Sequence, residues 1–402
     1  MFSCGRPGRR AGRRRCASSL RADAAERGIY PVIVDLSSLR QKAHRARRGA
    51  RLRLAAGRRL GAALDTHVFS RQVQSLSCLR RRAPGALAAL LASVAALGFA
   101  PAGAGAQPVE LAAPYEYLGW GEPQPPAGVI EATGVQDLTL AFILSHGRCD
   151  PEWDGRRPLL GGSDAAAIAA IRAAGGEVDV SFGGWSGKKL GKSCKSAAAL
   201  AAAYERVIGA YSLRAIDIDI EHGEFTNASV RRRVIEALAV VQRESPGVEI
   251  SVTFAADEAG PEADGRSLIA DAAAIGFQPS AWTIMPFDFG RPLTDMGDAS
   301  IRALEGLAAD LASAYGTSPE AAYAHAGISS MDGDTDESGE TVSVADLHTI
   351  LAFAQSHRLA RLSFWAVNRD RQCSGGETPG EDCSGIAQAP YAFTDVIAEY
   401  HG

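Results

Sequence analysis

The sequence predicts an α/β protein whose folded part is a single (β/α)8 barrel. From residue 115 onward, eight short apolar runs alternate with Ala-rich helical patterns. This alternation fits a closed parallel barrel better than a doubly wound sheet. No Gly-rich phosphate loop follows the first predicted strand, which argues against a dinucleotide-binding fold. No internal repeat and no Pro/Ser/Gly-rich linker divides residues 107–402, so we expect one domain there.

The strand predictions rest on short runs of β-branched and aromatic residues, and the helix predictions rest on Ala-rich segments with helical spacing. The predicted strands are YEYLG (115–119), LTLAFIL (138–144), EVDVSF (177–182), AIDIDIE (215–221), VEISVTF (248–254), AWTIMPF (281–287), YAHAGIS (323–329) and LSFWAV (362–367). The predicted helices are 164–174, 196–210, 228–244, 266–275, 299–315, 344–356 and 391–400.

Charge divides the chain into two unlike parts. The formal net charge of the 402 residues is −4, yet residues 1–106 hold 20 Arg and one Lys against four acidic residues. Residues 107–402 hold 21 basic and 42 acidic residues. An acidic domain repels phosphate backbones, so we expect the folded part to bind no nucleic acid. Because the chain has only one long apolar run, a multi-span membrane protein is excluded.

Residues 79–106 have the features of a secretory signal peptide. Arg80, Arg81 and Arg82 form a positive segment, an apolar stretch follows over residues 86–100, and the sequence AGA ending at Ala106 offers a cleavage site. The alternative is an uncleaved membrane anchor, but the stretch is short for roughly 30 Å of hydrocarbon. We therefore expect cleavage near Ala106, secretion, and no stable association with a membrane.

Residues 1–78 form an Arg-rich leader without hydrophobic periodicity, which includes the segments GRRAGRRR and RARRGARLRL. One interpretation is a nucleic-acid-binding or targeting arm. We favour a second one, in which the translation start is placed too early and the true start lies near Val73 or Leu79. The reason is that a signal peptide is expected near the start of a chain.

The acidic part contains four cysteines, Cys149, Cys194, Cys373 and Cys383. An even number in a secreted domain suggests disulfide bonds. The sequence alone does not decide among the three possible pairings. A local bridge between Cys373 and Cys383, across a short Gly/Pro-rich loop, is the simplest choice and leaves Cys149 with Cys194. A metal site is the rival interpretation, but no C-x-x-C pair or nearby His supports it.

Three carboxylates lie at the end of the fourth predicted strand, in the segment DIDIE (217–221). Because side chains alternate along a strand, Asp217, Asp219 and Glu221 point to one side. In a barrel, reacting groups occupy the C-terminal ends of the strands. Mutual repulsion and burial are expected to raise at least one carboxyl pKa, as a general acid near neutral pH requires. The alternative is an edge strand with its acids in solvent.

At this point the chain resembles a known family. DIDIE is similar to the DxxDxDxE signature of family 18 glycoside hydrolases, the chitinases and their relatives. SFGGWSG (181–187) resembles the SxGG motif of that family, MPFD (285–288) resembles its M-x-Y-D motif, and Trp365 falls where the family keeps the Trp beneath the sugar. The resemblance covers residues 115–402, and the ending is similar to secreted actinobacterial chitinases.

The resemblance implies a retaining, substrate-assisted hydrolase of β-1,4-linked N-acetylglucosamine that needs no metal ion or organic cofactor. It implies that Glu221 is the general acid and base, that Asp219 holds the acetamido group of the substrate, and that Asp217 shares a proton with Asp219. No second carboxylate acts as nucleophile, because the substrate's own acetamido oxygen attacks the anomeric carbon. The positions implied in substrate binding are Ser181, Gly183, Gly184, Trp185, Met285, Phe287, Asp288 and Trp365.

Two departures from the family pattern are visible. Arg214 replaces the first Asp of the signature at the entry of the strand, where we expect a structural rather than catalytic consequence. Phe287 replaces the usual Tyr, whose hydroxyl donates to the acetamido carbonyl. The loss of such a donor is expected to cost on the order of 2–4 kcal/mol of transition-state stabilisation.

Further expectations concern the cleft. Trp120, beside Gly at the end of the first strand, is a candidate for sugar stacking, as is Trp185, with packing as the alternative for both. Trp282 is expected in the core, and the acidic run 332–337 is expected to be a solvated loop. The short stretch between the sixth-strand motif and the eighth strand predicts an open groove and endo cleavage. We expect a monomer that binds chitin or its oligosaccharides. The alternatives are an endo-β-N-acetylglucosaminidase acting on N-glycans and a non-catalytic chitin-binding lectin.

Overall fold

The computed structural model describes residues 111–119, 122–375 and 380–401, all within one compact unit. The expectations for the leader, the signal peptide, its cleavage near Ala106, and Trp120 lie outside these residues. No helix within the described ranges is long and apolar enough to cross a membrane.

Eight positions around one parallel sheet form the barrel, so the predicted (β/α)8 fold is confirmed. The strands, in chain order, are β1 Leu111–Ala112, β2 Tyr115–Tyr117, β3 Asp137–Ser145, β4 Pro151–Trp153, β5 Glu177–Gly183, β6 Ala215–Asp219, β7 Glu249–Asp257, β8 Gly260–Pro261, β9 Ala281–Met285, β10 Ala326–Met331, β11 Gly333–Asp334, β12 Thr341–Val342 and β13 Arg361–Trp365. The order around the sheet is β1-β13-β10-β9-β7-β6-β5-β3-β2.

The first barrel position closes the sheet because its two halves pair with different neighbours. Strand β1 pairs with β13, whereas β2 pairs with β3. The residue between them also bridges both sides, since the Ala113 carbonyl accepts hydrogen bonds from the hydroxyls of Thr139 and Ser363. The barrel is therefore continuous through residues 111–117.

The helices lie between the strands in the predicted order. They are α1 Pro126–Thr133, α2 Ser163–Ala173, α3 Leu190–Ser193, α4 Ala197–Tyr211, α5 His222–Phe225, α6 Ala228–Glu244, α7 Ala263–Ala274, α8 Met296–Tyr315, α9 Pro319–Tyr323, α10 Val344–His357 and α11 Ala392–Ala398. Side-chain caps fix several starts: Ser196 and Asn227 cap α4 and α6, and Ser343 forms a capping box with Asp346.

Alternation along β6 decides which side chains face the lumen. Ile216 and Ile218 are buried in the main apolar core. Asp217 on the opposite side contacts Tyr115 across the barrel and Thr253 on the neighbouring strand β7. The prediction that the acids of this strand point into the lumen therefore holds for Asp217 in the structure, and Asp219 shares its side.

Several strand boundaries differ from the predictions, including those of the fourth, sixth and seventh barrel strands. The fourth barrel strand ends at Asp219 rather than Glu221, because Glu221 caps helix α5. The sixth ends at Met285 rather than Phe287. The seventh begins at Ala326, because the residues before it form α9, where Pro319 occupies the first turn and Ser318 caps it. The predicted start at Tyr323 was wrong.

Two disulfide bonds, Cys149–Cys194 and Cys373–Cys383, match the simplest pairing. The first joins the loop after β3 to the residue that follows α3, and the second closes a loop after β13. Between β9 and β13, where every residue is described, the additional strands are only the two-residue partners β11 and β12. No α+β insertion is present in that stretch.

Candidate active site

Asp217 forms the base of the candidate site and is fully buried. Its Oδ2 accepts hydrogen bonds from Tyr115 Oη at 2.7 Å and Ser181 Oγ at 2.6 Å. Its Oδ1 accepts from Thr253 Oγ1 at 2.6 Å and Arg361 Nη1 at 2.9 Å. Hydroxyl and guanidinium donors on both oxygens suit a carboxylate, which only accepts. Ser181 therefore contacts Asp217, and its buried hydroxyl lies beneath the cleft.

Arg361 supports this base from the eighth barrel strand. The guanidinium is fully buried and also lies 3.4 Å from Asp179 Oδ2 and donates to Thr139 Oγ1 at 2.8 Å. It sits 5.3 Å from the centre of the Tyr115 ring. One cation is thus shared by two lumen carboxylates, and burial raises the pKa of Asp179 to about 7.

Asp219 lies one step further along β6 in a different environment. It is buried, and among the described residues its Oδ1 has no hydrogen-bond partner. Burial raises the pKa of Asp219 well above its usual range, and the charges of Glu221 and Asp217 raise it further, while Lys189 and Arg361 oppose them. Burial therefore favours the protonated form of Asp219 over the ionised form.

Glu221 follows the strand and serves as the N-cap residue of α5. It is partly exposed. Burial of its carboxyl group raises the pKa to about 7, with Asp288 and Asp336 raising it and Lys189 lowering it. A carboxyl group with this pKa is half protonated at neutral pH, which is suited to donating a proton and then accepting one.

Lys189 is a site residue that the sequence analysis missed. Only 4% of the side chain is exposed. Its ammonium donates to the carbonyls of Gly183 at 2.9 Å, Ser186 at 2.6 Å and Gly184. Burial lowers the pKa of Lys189, although the charges of Glu221 and Asp219 oppose this. A lysine in a polar loop gives no sequence signal for such a position.

Gly183 and Gly184 are required by close packing within the protein. Both have positive φ angles, +112° and +75°. A Cβ at Gly183 would overlap the Asp219 carbonyl oxygen, and one at Gly184 would lie 2.6 Å from the Phe142 ring. Gly184 N also donates to the Asp219 carbonyl at 2.9 Å. The close approach that these two glycines permit is made to β6 and to Phe142.

Aromatic side chains line the barrel beside the acids. Trp365 stacks on Phe142, with ring centres 5.6 Å apart and an interplanar angle of 13°. Tyr115 and Tyr117 pack against both rings. The sequence analysis missed Phe142 and both tyrosines as site residues, because in their strands they look like ordinary core positions.

The other tryptophans of the described residues differ in exposure. Trp185 is 64% exposed, and its ring centre lies 3.7 Å from that of His222, the residue after Glu221. Trp282 is fully buried, as predicted. Trp153 is also fully buried and donates to Tyr211 Oη at 2.9 Å.

The sixth-strand motif lies at the end of β9. Met285 and Phe287 are partly exposed, and Asp288 is exposed with a φ of +58°. Partial burial of its carboxyl group raises the pKa of Asp288 to about 6, and the charges of Asp336 and Glu340 add to this. The motif thus places the Asp288 carboxyl where its charge raises the pKa of Glu221.

Arg214 lies at the opposite end of β6 from Glu221. It is 70% exposed and pairs with Glu177 at 3.3 Å and Asp137 at 4.0 Å. These contacts agree with the expected structural consequence of this departure. Among the described residues, no group of three or more His, Cys, Asp or Glu side chains could hold a metal ion.

A closed (β/α)8 barrel with stacked acids at the end of its fourth strand is the architecture that the family resemblance implies. No protein-family model matches the chain. The chain is 27% identical over 293 residues to a "Probable bifunctional chitinase/lysozyme" of Escherichia coli (strain K12), and 26% identical over 254 residues to "Endochitinase 11" of Metarhizium anisopliae. The matches cover 68% and 59% of this chain but 32% and 48% of those relatives, so the chain spans less than half of each.

Solved structures give the same assignment. The catalytic domain of a hyperthermophilic chitinase from Pyrococcus furiosus has a TM-score of 0.64 and 28% identity, covering 72% of this chain and 93% of that one. A family GH18 chitinase from Chromobacterium violaceum shares the fold, with a TM-score of 0.50 and 14% identity over 71% of this chain and 82% of that one. The resemblance to family 18 chitinases is therefore confirmed.

Proposed function

We propose that this protein is a glycosidase that hydrolyses β-1,4 bonds between N-acetylglucosamine units, in chitin or its oligosaccharides. The observation that carries the proposal is the difference in surroundings among three acidic residues at one strand end. Asp217 accepts four hydrogen bonds, the pKa of Asp219 is raised by burial, and the pKa of Glu221 is about 7. The names of the relatives support the choice of substrate.

In the proposed reaction, Glu221 protonates the glycosidic oxygen as the bond to the anomeric carbon breaks. The acetamido carbonyl oxygen of the same sugar attacks that carbon and forms an oxazolinium ion. Glu221, now ionised, then removes a proton from water. The water oxygen adds to the anomeric carbon, and the bond from that carbon to the acetamido oxygen breaks, which opens the oxazolinium ring. Two displacements at one carbon retain its configuration.

Asp219 is proposed to hold the acetamido group during this attack. Among the described residues its Oδ1 has no hydrogen-bond partner, so it is available to accept the acetamido N–H. As positive charge develops on the oxazolinium, Asp219 passes its proton to Asp217 and stabilises that charge as a carboxylate. Asp217 returns the proton to Asp219 when water opens the oxazolinium. Trp365, stacked on Phe142, supplies the apolar floor on which the sugar ring rests.

The location and the mode of action are also proposals. We propose that the protein is secreted and monomeric. The two disulfide bonds of the described residues support secretion. An open groove and endo cleavage are supported by the lack of an α+β insertion between β9 and β13.

A non-catalytic chitin-binding protein is the second candidate, and one observation favours it. Phe287 stands where the family places a Tyr, so the ring at this position has no hydroxyl to donate to the acetamido carbonyl. The intact set of Asp217, Asp219 and Glu221 favours the enzyme. The endo-β-N-acetylglucosaminidase alternative uses the same acids and is distinguished by substrate.

The test is whether the purified protein hydrolyses N-acetylglucosamine oligomers, from the tetramer up to the hexamer. A glycopeptide serves as the rival substrate. We expect cleavage of the oligomers, with product lengths that show internal cleavage and a β-anomer as the first product. Tight binding of oligomers without turnover would establish the binding protein instead, and cleavage of the glycopeptide alone would establish the N-glycan enzyme.

A further inference from the structure

The segment 332–342, here called the support hairpin, includes strands β11 and β12. The acidic run 332–337 was expected to be a solvated loop, and that expectation was wrong for Asp332. Glu340 lies three residues beyond that run. Asp332 is fully buried and Glu340 is 1% exposed. Burying two carboxyl groups is costly unless each has partners, so their contacts indicate what the support hairpin does.

Glu340 holds the backbone just after the sixth-strand motif. Its Oε1 accepts from Asp288 N at 2.6 Å and its Oε2 accepts from Phe289 N at 2.9 Å. Thr335 Oγ1 donates to the same carboxylate at 3.1 Å. Two consecutive amides directed at one carboxylate fix the positive φ of Asp288, a conformation that non-glycine residues rarely adopt.

Backbone hydrogen bonds join the support hairpin to the same loop. Leu293 N donates to the Gly339 carbonyl at 2.9 Å, and Thr341 N donates to the Leu293 carbonyl at 3.0 Å. The loop after β9 is therefore attached to the support hairpin at two places, at Asp288 and at Leu293.

The other end of the support hairpin holds the end of the eighth barrel strand. Asp332 N donates to the Trp365 carbonyl at 3.2 Å, and Ala366 N donates to Asp332 Oδ1 at 3.0 Å. Arg369 in turn donates to the carbonyls of Asp332 and Asp334, each at 2.6 Å. The peptide group between Trp365 and Ala366 is thus held by Asp332 through both its carbonyl and its N–H.

We propose that the support hairpin positions two substrate contacts relative to each other, with Glu340 and Asp332 as its positioning residues. Glu340 acts through Phe287 and Asp288, and Asp332 acts through Trp365. This inference rests on the proposed function, in which those side chains bind the sugar. It assigns a role to residues that do not themselves face the lumen acids.

The test compares Glu340→Gln with Glu131→Gln, the same change at an exposed glutamate of α1. Glutamine has the same size, but it has one acceptor oxygen, and its amide group donates where a second acceptor is needed. For Glu340→Gln we expect kcat/KM on the N-acetylglucosamine pentamer to fall about tenfold, as for the loss of one charge-assisted hydrogen bond. Glu131→Gln is expected to match the wild type.

Two further measurements separate positioning from a purely structural role. In an Asp288→Ala background, Glu340→Gln is expected to lower kcat/KM by a smaller factor, because the group it positions is absent. Amide hydrogen exchange in peptides covering 286–291 is expected to accelerate in Glu340→Gln, while exchange in the barrel strands stays unchanged. Thr335→Val, a milder change to the same carboxylate, is expected to shift both readouts in the same direction.

A wild-type value of kcat/KM in folded Glu340→Gln overturns the inference while leaving the proposed function intact. Equal factors in the two backgrounds overturn it as well, since they indicate a structural role independent of Asp288. If the wild type neither hydrolyses nor binds oligomers, the proposed function fails. In that case the exchange measurement still decides, and unchanged exchange over 286–291 rejects the positioning role. If Glu340→Gln does not fold, Thr335→Val carries the same comparison.

Discussion

The two aspartates of β6 lie two residues apart on one face of the strand, yet their surroundings differ. Asp217 receives four hydrogen bonds, whereas Asp219 Oδ1 has no partner. The neighbouring strand explains much of this contrast. In the β5–β6 register, Ser181 lies level with Asp217, but Gly183 lies level with Asp219. A hydroxyl stabilises the lower carboxylate, and the lack of a side chain leaves the upper one open.

This contrast shows that two acidic residues of one strand can serve different purposes, one in holding the barrel together and the other in the proposed reaction. The lower carboxylate is satisfied entirely by the protein and holds strands of the barrel together. The upper carboxyl group, that of Asp219, is incompletely paired among the described residues, which in the proposed function leaves a partner for the substrate to supply. Unpaired buried polar groups are costly to stability, and such groups are typical of functional sites.

The largest expected effect is on the proton-transfer residue. Glu221→Gln removes the titrating group but keeps its size, so we expect kcat on the N-acetylglucosamine pentamer to fall by about 10³-fold or more, since general acid–base catalysis contributes up to about 10⁴-fold. Oligomer affinity, measured by calorimetry, is expected to stay near that of the wild type. Glu236→Gln, at an exposed position of α6, is the matched control. Full activity in Glu221→Gln would contradict the proposed role.

The second prediction concerns stability and distinguishes the two aspartates directly. Asp217→Ala leaves the buried Arg361 guanidinium without its 2.9 Å partner, so we expect the free energy of unfolding to fall by about 3 kcal/mol or more. Asp219→Ala removes a carboxyl group that burial already disfavours, and a smaller loss is expected. Denaturant unfolding at pH 7 measures both. Equal losses would show that the hydrogen bonds to Asp217 do not set it apart.

The third prediction concerns the pH dependence of activity. The Lys189 ammonium stabilises the ionised form of Glu221 and so opposes the burial that raises its pKa to about 7. In Lys189→Met this cation is lost, so the pKa of Glu221 rises. Because the reaction needs protonated Glu221, the alkaline limb of kcat/KM should move to higher pH. The optimum rate should fall by about tenfold, since the 183–186 carbonyls lose a charged donor.

The control for this prediction is Lys188→Met, which removes the charge of an exposed neighbour. Its alkaline limb is expected to coincide with that of the wild type. A limb that stays in place in Lys189→Met, or that moves to lower pH, would show that the ammonium of Lys189 does not set the charge state of Glu221.

The sequence predicted the barrel well because each barrel strand is a short apolar run and alternation is a local property. It also predicted that Asp217 and Asp219 share one face, since alternation along a strand does not depend on what surrounds it. Lys189, Phe142 and Arg361 were missed because their importance depends on contacts with residues distant in sequence. The same holds for Glu340, because the backbone amides that donate to its buried side chain lie more than 50 residues earlier in the chain.

The smallest expected effect concerns Phe287, which stands in place of the family Tyr just after the end of β9. Phe287→Tyr adds one hydroxyl to a partly exposed ring. A donor placed in a site that is already built around phenylalanine recovers only the net worth of a neutral hydrogen bond, about 1 kcal/mol. We therefore expect kcat/KM on the pentamer to rise about fivefold. Phe289→Tyr is the matched control. A fall in kcat/KM would show that the hydroxyl does not reach the acetamido group and that this pocket has adapted to an apolar ring.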